Sequence, residues 1–214
     1  LYELGYDRYV IIEREITGDK QIADIVHAKK YFEDVLKKQA VVNPNVEFVF
    51  RYQRDDNAFE EKTFLYENGI ADYVAEIAGG NTLTSVQYYT AEHKGRDRAD
   101  KEDYKVKLSV AFTFSNQVKM LEYFHNSSYL EHGGSPEDAV KLAFTNQIHN
   151  YLKNNNKYLK NEKPINFSDV EECLVLVSSS FSTQTSYANQ TKKAITNKFI
   201  KECMTDFLKR QIEV

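Results

Sequence analysis

Two strand signals of different kinds limit the folds open to this chain. Val106, Leu108, Val110, Phe112 and Phe114 recur at every second position, the pattern of a strand with one buried face. The segment Glu172-Cys173-Leu174-Val175-Leu176-Val177-Ser178-Ser179 is instead continuously apolar and rich in β-branched residues between polar ends, and reads as a buried strand. Such strands need helices to cover them. Gln21 to Gln39 carries Ile22, Ile25, Val26, Phe32, Val35 and Leu36 at spacings of three and four, which predicts a helix with one buried face, stopped by Asn43-Pro44-Asn45. Gly69 to Ala78 predicts a short helix ended by Gly79-Gly80. Ser135-Pro136-Glu137-Asp138 reads as a helix start, with Ser135 as N-cap, Pro136 first in the helix and Asp138 reaching back. That helix puts Val140, Ala143, Phe144, Ile148, Tyr151 and Leu152 on one face. Ser168-Asp169-Val170-Glu171 reads as a second capping box before the buried strand.

The other strands are weaker. Tyr9 to Ile12 is strand-like, and Val46, Phe48, Phe50 and Tyr52 predict a half-buried strand. A turn at Asp55-Asp56-Asn57 leads from it to a hairpin partner over Lys62 to Tyr66. Thr84 to Thr90 is a modest strand, Glu92 to Asp103 a charged loop, and Gln117 to His125 the expected antiparallel neighbour of the 106–114 strand. Strand, helix, several antiparallel strands, helix, strand, helix is an α+β order: a mostly antiparallel sheet covered by helices. No internal repeat interrupts it.

With 214 residues, the chain is long enough for a sound core. A net charge of −4 argues against a general nucleic-acid binder, though local basic stretches can still touch DNA. One such stretch is Lys153, Lys157, Lys160 and Lys163. Cys173 and Cys203 make no disulfide framework and suit a core in a reducing, cytoplasmic setting. No apolar run approaches the ~18 residues of a membrane span. The five histidines show no ligand spacing with Cys or acids, so no metal site is expected. No P-loop or nucleophilic serine elbow is present. The abrupt strand-like beginning, without Met, suggests an excised piece of something longer.

Beyond the buried strand, a polar loop from Phe181 to Asn189 leads to Gln190-Thr191-Lys192-Lys193, read as opening a helix over Ala194 to about Leu208. A lysine at a helix start adds a mobile charge where backbone N–H groups already attract anions. Gln190-Thr191-Lys192 matches the Gln-Thr-Lys loop of the B subunits of type IIA DNA topoisomerases, the gyrase B and topoisomerase IV family. Tyr123 to Ser135 resembles that family's aromatic-Val-Asn-Asn strand and acidic-Gly-Gly-Thr-His turn, with Asn126, Gly133, Gly134 and Ser135 matching. His132 replaces the acidic residue, and Pro136-Glu137 follows where the family has His. Ser168 to Leu174 is similar to Gly-Asp-Asp-x-Arg-Glu-Gly-Leu through Asp169, Glu172 and Leu174, with Glu171 in place of Arg. Phe64 to Ile70 resembles aromatic-x-Glu-Gly-Gly-Ile, and Gln39 to Val46 resembles the end of the preceding ATPase domain.

The resemblance implies residues 1–45 as the C-terminal tail of a GHKL-type ATPase domain and 46–214 as the transducer domain. It also implies a fold like domain two of small-subunit ribosomal protein five, with a left-handed βαβ crossover. Gln190 and Lys192 would contact the terminal phosphate of ATP, with Thr191, Gly133 and Gly134 as supporting loop and turn. ATP and Mg²⁺ would be bound mainly by the ATPase domain, through which the protein would dimerise. DNA and the topoisomerase A subunit would be its partners, and no membrane is involved. The Glu–Asn helix and Asp-x-Gly-x-Gly of the ATPase, and the acidic Toprim cluster, are absent from this sequence. No catalytic residue is therefore expected within it, and alone it should neither hydrolyse ATP nor cut DNA. The alternatives are the second domain of a MutL-type mismatch-repair ATPase and a non-catalytic dimerisation or scaffold module.

Overall fold

The structure, a computed structural model, describes residues 18–54 and 56–212. The strand expected at Tyr9 to Ile12 lies outside them. Helix α1 (Asp19–Val42) leads through Asn43-Pro44 into a hairpin of β1 (Phe48–Gln53) and β2 (Phe59–Phe64), which forms its own two-stranded sheet. After α2 (Ile70–Ala78) come β3 (Gln87–Gly95), β4 (Tyr104–Phe114), β5 (Met120–His125) and β6 (Ser128–Tyr129). Then follow α3 (Ser135–Asn154), the single turn α4 (Phe167–Glu171), β7 (Leu174–Ser182) and α5 (Lys198–Gln211). The main sheet has the order β3-β4-β7-β5-β6. It is antiparallel except between β5 and β7, so the α+β architecture stands with one parallel pair in a mixed sheet.

That pair corrects one expectation. β5 is not the neighbour of β4, because β7, arriving last in the chain, inserts between them. Leu174 to Val177 are all fully buried: Leu174 and Leu176 face one core cluster, Val175 and Val177 the other. A strand apolar on both sides belongs in the middle of a covered sheet. β5 then reaches β7 through a crossover carrying α3 and α4, as a parallel pair requires. The first cluster packs α3 and α5 against Val106, Leu108, Val110, Phe112 and Tyr123. The second packs α2 and the end of α1 against Ala111, Phe124, Val175 and Val177.

Several boundaries also moved. In α1 only the C-terminal half is covered: Ala40 and Val41 are fully buried, whereas Ile22, Ile25 and Val26 are 69%, 54% and 61% exposed. Lys37 fixes that half to Glu76 of α2 at 2.7 Å, and Gln39 Nε2 donates to the Ser127 carbonyl at 3.0 Å. β3 continues through Glu92 to Gly95, into the expected charged loop. It is an edge strand, so Glu92 and Lys94 lie on its solvent side without cost. Gly95 leaves room for the Phe199 ring against the strand. The residue capping α3 is Gly134, and Ser135 makes no cap: its Oγ donates to the Ile195 carbonyl, while Asp138 pairs with Lys201 at 2.9 Å. Tyr151 is exposed and not part of the buried face. The second capping box is real but starts earlier, from Asn166, with Asp169 accepting from the Asn166 N–H at 2.9 Å.

Candidate functional site

Between β7 and α5 the chain makes an excursion whose two arms pair with each other. The Thr196 N–H donates to the Ser186 carbonyl at 2.8 Å and the Ala188 N–H to the Ala194 carbonyl at 3.0 Å, placing Tyr187 opposite Ile195. Gln190, Thr191 and Lys192 lie in the turn at its tip. There the Lys192 N–H reaches the Asn189 carbonyl at 3.3 Å and Thr191 Oγ1 donates to Asn189 Oδ1 at 2.6 Å. The chain stays extended to Asn197, and α5 starts only at Lys198. The helix expected over Ala194 to about Leu208 is therefore present but starts four residues late, and Gln190 to Lys193 do not open it, so Lys192 gains nothing from a helix N-terminus. Residues 194–196 are held extended by their bonds to Ser186, Ala188 and Ser135, which fits the late start.

The returning arm is held on its other side by the Gly133-Gly134 turn. The His132 N–H donates to the Lys193 carbonyl and the Ser135 N–H to the Ile195 carbonyl, both at 2.9 Å. Gly134 pairs with Ile195 in parallel sense, at a φ of +88°. A Cβ on Gly134 would overlap the Ile195 carbonyl oxygen. The two sequence signals, a double glycine and a Gln-Thr-Lys loop some sixty residues on, are thus parts of one object.

The side chains at the tip differ in what they are free to do. Lys193 is paired with Glu131, and that ammonium holds the Glu131 carboxyl below the usual carboxylate range. Lys192 is exposed and makes no ion pair among the described residues. Its Nζ lies 5.6 Å from the centroid of the Tyr187 ring, a loose cation–π contact. Gln190 is exposed as well. The tip therefore offers one unspent ammonium and one amide to an anion carried by something else.

Two buried polar clusters hold the base, and neither is legible in the sequence. Asn197, 1% exposed, accepts from the Ser186 N–H at 2.8 Å and donates to Asp97 Oδ2 at 3.0 Å. Asp97 Oδ1 accepts from the Phe199 N–H at 2.8 Å and from the Tyr104 hydroxyl at 2.9 Å, so it caps α5 from a distant loop. Asn197→Ala would leave buried donors and acceptors without partners. We expect it to cost about 2–3 kcal/mol, read as a lowered Tm.

The second cluster surrounds His125, which is fully buried. Its Nδ1 lies 2.8 Å from Ser180 Oγ and its Nε2 2.8 Å from Thr185 Oγ1. Burial alone pushes the imidazole down to about 4. The unfolded chain then takes up this proton near 6.5 and the folded chain only near 4, so stability is complete above pH 6.5 and declines as the pH falls between the two. The full loss for this one group is on the order of 3 kcal/mol. Denaturation midpoints measured at pH 7.5 and 4.5 are expected to show this fall, and His125→Gln to reduce it.

Among the described residues no three His, Cys, Asp or Glu side chains are grouped to hold a metal ion. Both thiols are free, and burial raises them, Cys203 to about 12, which disfavours the reactive thiolate. No described helix is long and apolar enough to cross a membrane.

The fold recurs in solved structures. The 43K ATPase domain of Thermus thermophilus gyrase B, in complex with an aminocoumarin, matches with a TM-score of 0.62 at 17% identity, over 86% of this chain and 46% of that one. The B-subunit of the DNA gyrase from Myxococcus xanthus gives a TM-score of 0.65 at 12% identity, over 86% and 49%. The architecture is thus one found in gyrase B proteins. In sequence, the family model described as DNA gyrase B matches residues 69–214, and the chain belongs to that family. The DNA gyrase B protein of Spiroplasma citri is 27% identical over 179 residues, 81% of this chain and 26% of the relative. That of Thermotoga maritima is 26% identical over 155 residues, 72% and 24%. The chain spans about a quarter of the length of these curated relatives.

Proposed function

We propose that this chain is the transducer region of the B subunit in a type II DNA topoisomerase, and that the tip of the excursion senses the terminal phosphate of ATP. Residues 46–214 form the transducer in this reading, and residues up to about 45 end the nucleotide-binding domain. That neighbouring domain holds ATP and Mg²⁺ and makes the homodimer. The observation that carries the reading is the free, exposed ammonium of Lys192 beside a Lys193 already paired. Lys192 and Gln190 donate to the terminal phosphoryl oxygens while the nucleotide is intact. Hydrolysis removes that contact, and a contact present in one state only is what shifts an equilibrium between two arrangements.

The returning arm is strapped to the Gly-Gly turn that begins α3, and its base is tied to β7 and α5. A pull on the tip is thereby delivered to the two helices covering one face of the sheet. DNA and the A subunit are the partners in this reading, and the cytoplasm its setting. Lys153, Lys157, Lys160 and Lys163, all exposed at and after the end of α3, face the captured DNA in this scheme. The test is Lys192→Ala in the full-length protein with its A subunit. ATP-driven strand passage should collapse, and a wild-type rate would overturn the assignment.

A further inference from the structure

His125 separates its two ring nitrogens between two structures. Nδ1 faces Ser180 inside the sheet on β7, whereas Nε2 faces Thr185, the residue just before the paired arms begin at Ser186. The proton directions follow from the surrounding bonds. Ser180 Oγ donates to the Phe124 carbonyl at 3.2 Å, so it can only accept from Nδ1–H. Thr185 Oγ1 accepts from Asn126 Nδ2 at 3.2 Å, which leaves its own proton for Nε2. Ser182 Oγ lies 3.3 Å from Nε2 but spends its proton on the Gln184 carbonyl at 2.6 Å. A neutral ring with hydrogen on Nδ1 bonds both Ser180 and Thr185 and leaves Ser182 Oγ as a contact only. The groups facing the ring nitrogens, Ser180 and Ser182 from β7 and Thr185 from the excursion, are all uncharged, as is Asn126 beside Thr185.

We infer that His125 is a positioning residue for the phosphate-contacting tip, acting through Thr185 to set the direction in which the excursion leaves β7. The inference rests on the reading of Lys192 given above. Two substitutions divide the ring's roles in the full-length protein. His125→Asn keeps a polar atom near Nδ1 and drops the Thr185 contact; His125→Gln keeps one near Nε2 and retains it. The Asn variant is expected to raise KM for ATP about tenfold while kcat changes less. Its Ala188 and Thr196 amides should exchange with deuterium about fivefold faster.

The Gln variant should stay close to wild type in both measurements. Thr185→Val, which removes the hydroxyl from the excursion and keeps the His125 ring and its Ser180 contact in the sheet, should reproduce the Asn variant even if His125→Asn fails to fold. Asn and Gln variants that behave alike, or unchanged exchange in both the Asn and Thr185→Val variants, would overturn the inference. Faster exchange with KM and kcat both unchanged would support the His125 contact and overturn the phosphate role of Lys192.

Discussion

Alanine at Lys192 is expected to slow ATP-driven strand passage by the full-length protein about a hundredfold or more, the scale for losing one donor aimed at developing or departing charge. Stability should barely move. The side chain is exposed, its one contact is a ring 5.6 Å away, and surface changes of this kind stay within about 0.5 kcal/mol. Alanine bears the same left-handed backbone cost as lysine at this φ, so the difference between the two proteins reports the amine. Lys193→Ala is the matched control. It removes a surface ion pair with Glu131, worth at most about 1 kcal/mol, and should leave the rate alone. Equal losses from the two substitutions would mean that the tip's net charge matters and not one amine.

Gly134→Ala is the substitution with the largest expected effect on folding, about 3–5 kcal/mol in chemical denaturation. Two costs add. At φ +88° and ψ −136° an L side chain sits in backbone territory that glycine alone occupies freely. Its Cβ would also strike the backbone of Ile195, which cannot swing away as a side chain could, because Ile195 is fully buried and paired on both edges. Either α3 or the returning arm must shift, so the tip should lose its strap as the domain loses stability. Gly80→Ala, where an added Cβ meets nothing within 4 Å, is the neutral comparison. A loss below about 1 kcal/mol for Gly134→Ala would show that the strap is not tight.

The parts that local pattern could reveal were legible. The alternation at 106–114, the apolar run at 174–177, the hairpin across Asn57 and the glycines bounding α2 each depend on neighbours a few residues apart. Their signals are periodicity and turn chemistry, which need no knowledge of the rest of the chain. The errors arose where partners were distant. Ile22, Ile25 and Val26 obey helical periodicity as well as Val35 and Leu36 do, yet only the latter half of α1 meets the second core cluster. Ser135 has the composition of a cap, but the Ile195 carbonyl, sixty residues on, claims its hydroxyl.

The chain by itself determined its family, its α+β class and the residues at the loop tip, since motif order and hydrophobic period are properties of sequence. Only the tertiary structure decided that β7 divides β4 from β5, that α5 begins at Lys198, and that the Gly-Gly turn, His125 and Asn197 together hold the excursion. The first turns on a strand that needs cover on both faces, and the others largely on buried polar groups whose partners lie far along the chain, as for His125 with Ser180 across 55 residues and Asn197 with Asp97 across 100. Burial makes each such partnership obligatory, and no local pattern records it.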